Sequence, residues 1–188
     1  MLERYLSKKR AEVVNRLIPS YHRKGRILDI GCGEHPYFLI DTIFNNKYGI
    51  DISAKECTKD KSIIIKNSDI EKDGLLGFES EYFDVVTMLA VFEHLDPNKL
   101  SVIVREIKRV LKSKGIFILT TPAPWTSVIL EALSAVRLVN PEMIKEHKGL
   151  YGAKKISDIL TESGFSRENV KFGSFELFMN TWSLAIKK

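Results

Sequence analysis

Asp29, Gly31 and Gly33 stand together in the run Leu28-Asp29-Ile30-Gly31-Cys32-Gly33. Glycines there let the chain turn tightly and let a ligand lie against bare backbone. Alone, a Gly-x-Gly pair serves any sharp strand-to-helix turn. Asp51 follows Gly33 by 18 residues, close to the roughly 20-residue spacing at which an acid reaches ribose hydroxyls. A carboxylate suits that task because it accepts hydrogen bonds from both members of a vicinal diol. A third acid, Asp69, stands in Asn67-Ser68-Asp69-Ile70-Glu71. Each acid ends or follows a short apolar run, so a parallel sheet would deliver all three to one edge.

Proton transfer has its own candidates. Glu93 and His94 form an ionisable pair directly after the fourth apolar run, and His147 precedes the last helix. An imidazole titrates in the range a general base needs, which makes His147 the first candidate and His94 the second. Surface or backbone-bonded histidines fit the same positions. Cys32 lies inside the glycine loop and reads as a small packing residue. With Cys57 it makes neither a disulfide framework nor a zinc-ligand spacing, so no metal centre is expected.

Short apolar strands and amphipathic helices must position these groups. Residues 26–30, 47–51, 62–66, 82–89 and 116–119 read as strands of a buried parallel sheet. Leu100, Ile103, Val104, Ile107 and Leu111 make one helical face, with Asp96 as cap, Pro97 in the first position and Gly115 as the break. Pro36 can open a helix after the glycine loop. Ala153 to Ser163 is another helix, with Gly164 at its end. Residues 170–178 and 181–186 read as two strands joined by a tight turn near Asn180, so one strand must run antiparallel. A helix over residues 1–20 precedes all of this. Residues 123–145 add a broadly apolar helical insertion containing Trp125 and Ile129, read as a lid over a substrate, a dimer face or plain packing.

The 188 residues, 44% hydrophobic and 28% charged, exclude a disordered or fibrous chain and fit one domain, 1–188. A net charge of +5 is spread along the chain and reads as a solvated surface without nucleic acid as partner. No apolar stretch reaches the roughly 18–20 residues of a membrane span, and the N-terminus lacks a signal-peptide core, so a cytoplasmic location is expected.

Taken together, the Leu-Asp-Ile-Gly-Cys-Gly motif, Asp51, Asp69, the segment 88–95, Lys114-Gly115 and Ser163-Gly164-Phe165 resemble the class I S-adenosylmethionine-dependent methyltransferases, especially their small-molecule branch. The resemblance runs from about Arg26 to Leu119. It implies a single doubly wound, Rossmann-like α/β domain with a seven-stranded, mostly parallel sheet and an antiparallel C-terminal hairpin. It implies S-adenosylmethionine as cofactor, with Asp29, Gly31 and Gly33 along its methionine part and Asp51 on its ribose. Asp69 would meet the adenine amino group, Ile52 and Ile70 would flank the adenine ring, and Leu89 would touch the methionine end. The family usually has a third glycine where this chain has His35, so the loop takes another path or His35 stands beside the cofactor. A dinucleotide dehydrogenase needs that glycine beside a phosphate-binding helix; a sulfonium cofactor carries no phosphate. The expected reaction is methyl transfer to a small or apolar acceptor. A non-catalytic cofactor-binding protein and an RNA or protein methyltransferase are the alternatives.

Overall fold

A computed structural model describes residues 2–54, 62–126 and 149–188. Seven strands are joined in one sheet: β1 (Arg26–Ile30), β2 (Asn46–Asp51), β3 (Ile63–Asn67), β4 (Phe83–Leu89), β5 (Leu111–Pro122), β6 (Val170–Phe175) and β7 (Asn180–Ile186). Their order is β3-β2-β1-β4-β5-β7-β6. The first five pair in parallel, and β7 runs antiparallel to both β5 and β6. The chain moves outward in one direction from β1 to β3 and in the other from β4 onward. The gap between the carboxyl ends of β1 and β4 is therefore the topological switch point, where open α/β sheets bind ligands.

Side chains alternate between two cores because successive strand residues face opposite ways. On one face Leu28, Ile30, Val86, Met88, Phe117 and Leu119 pack beneath α4 (Leu100–Val110) and α5 (Ala153–Glu162). On the other, Ile27, Val85, Ile116 and Ile118 pack with Ala11, Val14 and Ile18 of the N-terminal segment, whose helix α1 spans Leu2–Leu17. Two short helices, α2 (Tyr37–Asp41) and α3 (Ile70–Asp73), follow β1 and β3. Among the described residues no helix is long and apolar enough to cross a membrane.

Four local expectations are corrected. Helix α4 begins at Leu100 rather than Pro97, and no side chain caps it. Asp96 and Pro97 belong to the preceding turn, in which the Asn98 N–H donates to Asp96 Oδ1. The helix also ends at Val110, not at Gly115. Leu111 is fully buried and already pairs with Phe83, so the fifth strand starts there and bulges before Ile116 resumes the register opposite Val85. Finally, the hairpin turn precedes Asn180, which is the first residue of β7. Glu176, Leu177 and Phe178 make the turn with φ of 51°, 54° and 66°, three consecutive left-handed residues. Pro36 stands just before α2 rather than in its first position. Apart from Trp125, the named apolar residues of 123–145 lie outside the described residues, as does His147.

Candidate functional site

The glycine loop leaves β1 with Gly31 at φ 76° and Gly33 at φ 74°. An L side chain is strained in that region. Gly31 has a second reason to be glycine, since an added Cβ would lie 2.2 Å from Val91 Cγ2. At Gly33 the nearest other atoms to such a Cβ are 3.9 Å away, so the backbone there is open to a neighbour. The Gly33 N–H donates to Asp51 Oδ2 at 2.8 Å, and Asp51 Oδ1 accepts from Ser53 N at 2.8 Å and Ser53 Oγ at 2.6 Å. One carboxylate thus ties the loops after β1 and β2 together at the carboxyl edge.

Asp29 is 3% exposed on the α1 side of the sheet and accepts from Thr87 Oγ1 at 2.7 Å. Burial pushes its carboxyl up to about 7, against the Thr87 hydrogen bond and with help from the Asp51 charge. The Cys32 thiol is driven far above its usual range by burial and by Asp29 and Asp51. A thiol so strongly protonated is a packing group and not a nucleophile.

The third acid behaves differently. Asp69 caps α3, its Oδ1 accepting from Glu71 N at 3.0 Å and Lys72 N at 3.3 Å. Desolvation raises its pKa, but the Lys72 ammonium 3.2 Å from Oδ2 and the two N–H donors prevail and hold it below the usual value. Ile70 is buried in the core, Ile52 is 68% exposed and Leu89 is half-buried. His35 is exposed, with its ring 6.0 Å from that of Tyr37.

The segment after β4 carries the strongest electrostatic signal. Ala90 is held at φ 56°, with its N–H donating to Thr120 O at 2.9 Å. Strain of this kind in a non-glycine residue gathers at functional sites. Glu93 is 2% exposed, and burial raises its pKa while His94, Thr121 and Arg10 oppose the shift. His94 is half-buried, and its N–H donates to Val91 O at 2.9 Å. Tyr151 is fully buried edge-on to Phe92, with ring centroids 5.0 Å apart. Burial, then the charges of Asp96 and Glu93, push its hydroxyl up.

Two groups escaped the sequence reading. Arg10 of α1 faces Glu93, Glu176 and Asp29; burial draws its guanidinium below the usual arginine value while those carboxyls oppose the shift. Glu176 comes from the hairpin turn, where its Oε2 accepts from Asn180 Nδ2 at 2.6 Å. The turn is brought to this edge because Thr121 pairs with Thr181, Pro122 pairs with Asn180 and Ala123 N donates to Met179 O at 2.8 Å. A pattern of apolar positions carries no mark of either residue.

Residues 28–119 match the family described as a methyltransferase domain. The uncharacterized protein MJ1252 of Methanocaldococcus jannaschii is 29% identical over 165 residues, which is 74% of this chain and 61% of that protein. The chain therefore spans about three fifths of that relative's length. Among solved structures, a possible histamine N-methyltransferase from Thermotoga maritima superposes with a TM-score of 0.73 at 16% identity, covering 98% of this chain and 90% of the other. A SAM-dependent methyltransferase from Archaeoglobus fulgidus superposes with a TM-score of 0.69 at 20% identity, covering 94% of each chain. These likenesses extend the fold over nearly the whole chain.

Proposed function

We propose that the chain carries a class I S-adenosylmethionine-dependent methyltransferase domain and transfers the cofactor's methyl group to a small-molecule acceptor at the carboxyl edge of β1, β4 and β5, a reading supported by the matching methyltransferase family and by the shared fold. One observation supports this above the rest. The open backbone of Gly33 and the carboxylate of Asp51 are hydrogen-bonded to each other at the switch point.

The residues present fit the cofactor. When bound, S-adenosylmethionine supplies an electrophilic methyl group on a sulfonium, so the protein has mainly to align donor and acceptor and exclude water. Asp51 offers acceptors for the ribose hydroxyls, and Gly31 and Gly33 offer bare backbone to the methionine part. Asp29 faces the methionine ammonium, and Arg10, the guanidinium among these carboxyls, suits the methionine carboxylate. Leu89 lies at the methionine end. Ile52, exposed beside Asp51, and Ile70, behind the Asp69 cap, border the adenine position, with Asp69 facing its amino group. His94, next to Glu93, and His147 are the imidazoles offered to an acceptor that must lose a proton.

Titration calorimetry tests this reading. S-Adenosylhomocysteine is expected to bind and NAD is not. Hydrogen bonds to a charged group contribute roughly 1.5–3 kcal/mol, so Asp51→Ala is expected to weaken S-adenosylhomocysteine by about 10- to 150-fold. Tight NAD binding with no response to the adenosyl ligand would overturn the proposal. Unchanged affinity in Asp51→Ala would place the ribose elsewhere.

A further inference from the structure

Beyond the loops that receive the cofactor, the same edge holds buried side-chain oxygens with few partners among the described residues. Glu93 Oε2 and Thr121 Oγ1 belong to side chains 2% and 1% exposed; they are polar neighbours of each other, and neither makes a well-formed hydrogen bond among the described residues. On the half-buried Glu176, Oε2 accepts from Asn180 while the buried Oε1 has no hydrogen-bond partner among the described residues. An unpaired buried polar group costs about 1–3 kcal/mol and more when charged, so a native fold rarely leaves several together without a use. Glu93 and Glu176 both face Arg10, and Glu93 lies beside Thr121. The charges of three carboxyls, counting Asp29, thus act on one guanidinium.

Resting on the methyl-transfer reading above, we infer that Glu93 and Glu176 form the acceptor pocket, and that the acceptor is a small organic amine received as its ammonium. Arg10 engaged with the methionine carboxylate leaves these two glutamates without a compensating charge. An ammonium supplies one positive charge and several N–H donors, which the orphaned oxygens accept. A carboxylate or phosphate acceptor would meet two like charges. An alcohol would bring a single donor and no charge.

The chemistry favours the same class. The bound ammonium holds Glu93 as its carboxylate; one ammonium proton then passes to Glu93 Oε2, where burial lowers the cost of carrying it. The lone pair this leaves on nitrogen forms the N–C bond while the C–S bond breaks, and that bond's electron pair departs with sulfur. Positive charge moves from sulfur to nitrogen and is not created anew. The N-methylammonium product stays opposite Glu176, and Glu93 returns its proton to solvent as the product leaves. An aliphatic ammonium gives up its proton near the lysine value of about 10.4, whereas water, the nearest reference for an alcohol, lies at about 15.7. A carboxylate base serves the first far better than the second.

The test uses the protein saturated with S-adenosylhomocysteine and two probe pairs, phenethylamine with phenethyl alcohol and hexylamine with hexanol. Calorimetry is expected to show at least one amine binding tenfold or more tightly than its alcohol. Glu93→Gln, close in shape to the protonated carboxyl, is expected to remove most of that preference and leave S-adenosylhomocysteine affinity within about twofold. Glu176→Gln, in the surface turn, is expected to do the same in part and guards against a folding defect in the first variant. Equal binding of amine and alcohol, no binding of either amine, or an unchanged preference in both folded variants overturns the inference. A loss of S-adenosylhomocysteine binding in both variants would instead assign the glutamates to the cofactor. Failure of the unmodified protein to bind S-adenosylhomocysteine would count against the methyl-transfer reading itself.

Discussion

Asp29 shows the conflict between position and charge most directly. It sits within the sheet between Gly49 and Thr87, where a carboxylate loses nearly all its hydration. With its pKa lifted to about 7 and an unfolded value near 3.9, the folded state binds the extra proton between those limits. Its contribution to stability is therefore complete in acid and is lost as pH rises toward and through 7. Asp29→Asn keeps an oxygen for the Thr87 hydroxyl and removes the titration. Relative to the unmodified protein, it is expected to gain about 2–4 kcal/mol between pH 4 and pH 8, read from urea unfolding at each pH. A constant difference across that range would show that Asp29 stays charged. The same variant is expected to bind S-adenosylhomocysteine more weakly, because the carboxylate facing the methionine ammonium is gone. Asp69 illustrates the limit of reading residue types. Its carboxylate is already engaged as a helix cap, so the acid at that strand end organises α3 whatever else it meets.

At the scale of elements, the loops after β1 and β4 are built against each other. Gly31 touches Val91, and Ala90 is strained to place Val91 there. Gly31→Ala faces two penalties, the left-handed φ and a methyl group 2.2 Å from Val91 Cγ2. Strain of about 1–2 kcal/mol and overpacking of about 1–3 kcal/mol are expected to lower the melting temperature and abolish S-adenosylhomocysteine binding. Adding Val91→Ala should recover the overpacking share and leave the conformational share. Full recovery would show that φ costs nothing here, and no recovery that the contact does not matter. The hairpin turn is a second constructed element. Three left-handed residues in succession turn the chain so that Glu176 lies at the sheet edge while Leu177 and Phe178 stand 87% and 72% exposed.

For the whole molecule, the sheet separates two cores, and the strand ends at the switch point are where both are joined by loops alone. A ligand spanning the loops after β1, β2 and β4 would fasten them, and binding only the folded state stabilises all of it. At a hundredfold excess over Kd, S-adenosylhomocysteine is expected to add about 2.7 kcal/mol. For a chain of this size that corresponds to a rise of about 5–10 °C in melting temperature. Hydrogen exchange should slow at Gly31–Gly33, Asp51 and Ala90 together. Protection of one loop without a rise in melting temperature would break the link between this edge and global stability. Much of this architecture was legible in the residues themselves. Short continuous apolar runs record burial on both faces, glycine pairs record backbone conformation, and the strand-end acids follow once a parallel sheet is granted. The helix end at Val110 was not legible, because Leu111 continues the helical pattern and only its pairing with Phe83 assigns it to β5. Nor was the group formed by Arg10, Glu93 and Glu176. A charge on a helix or in a turn reads locally as solvated. Its meaning changes only when the fold brings α1, the loop after β4 and the hairpin turn near enough for the charges of Glu93 and Glu176 to act on Arg10, which residues more than 80 positions apart cannot encode in any local spacing.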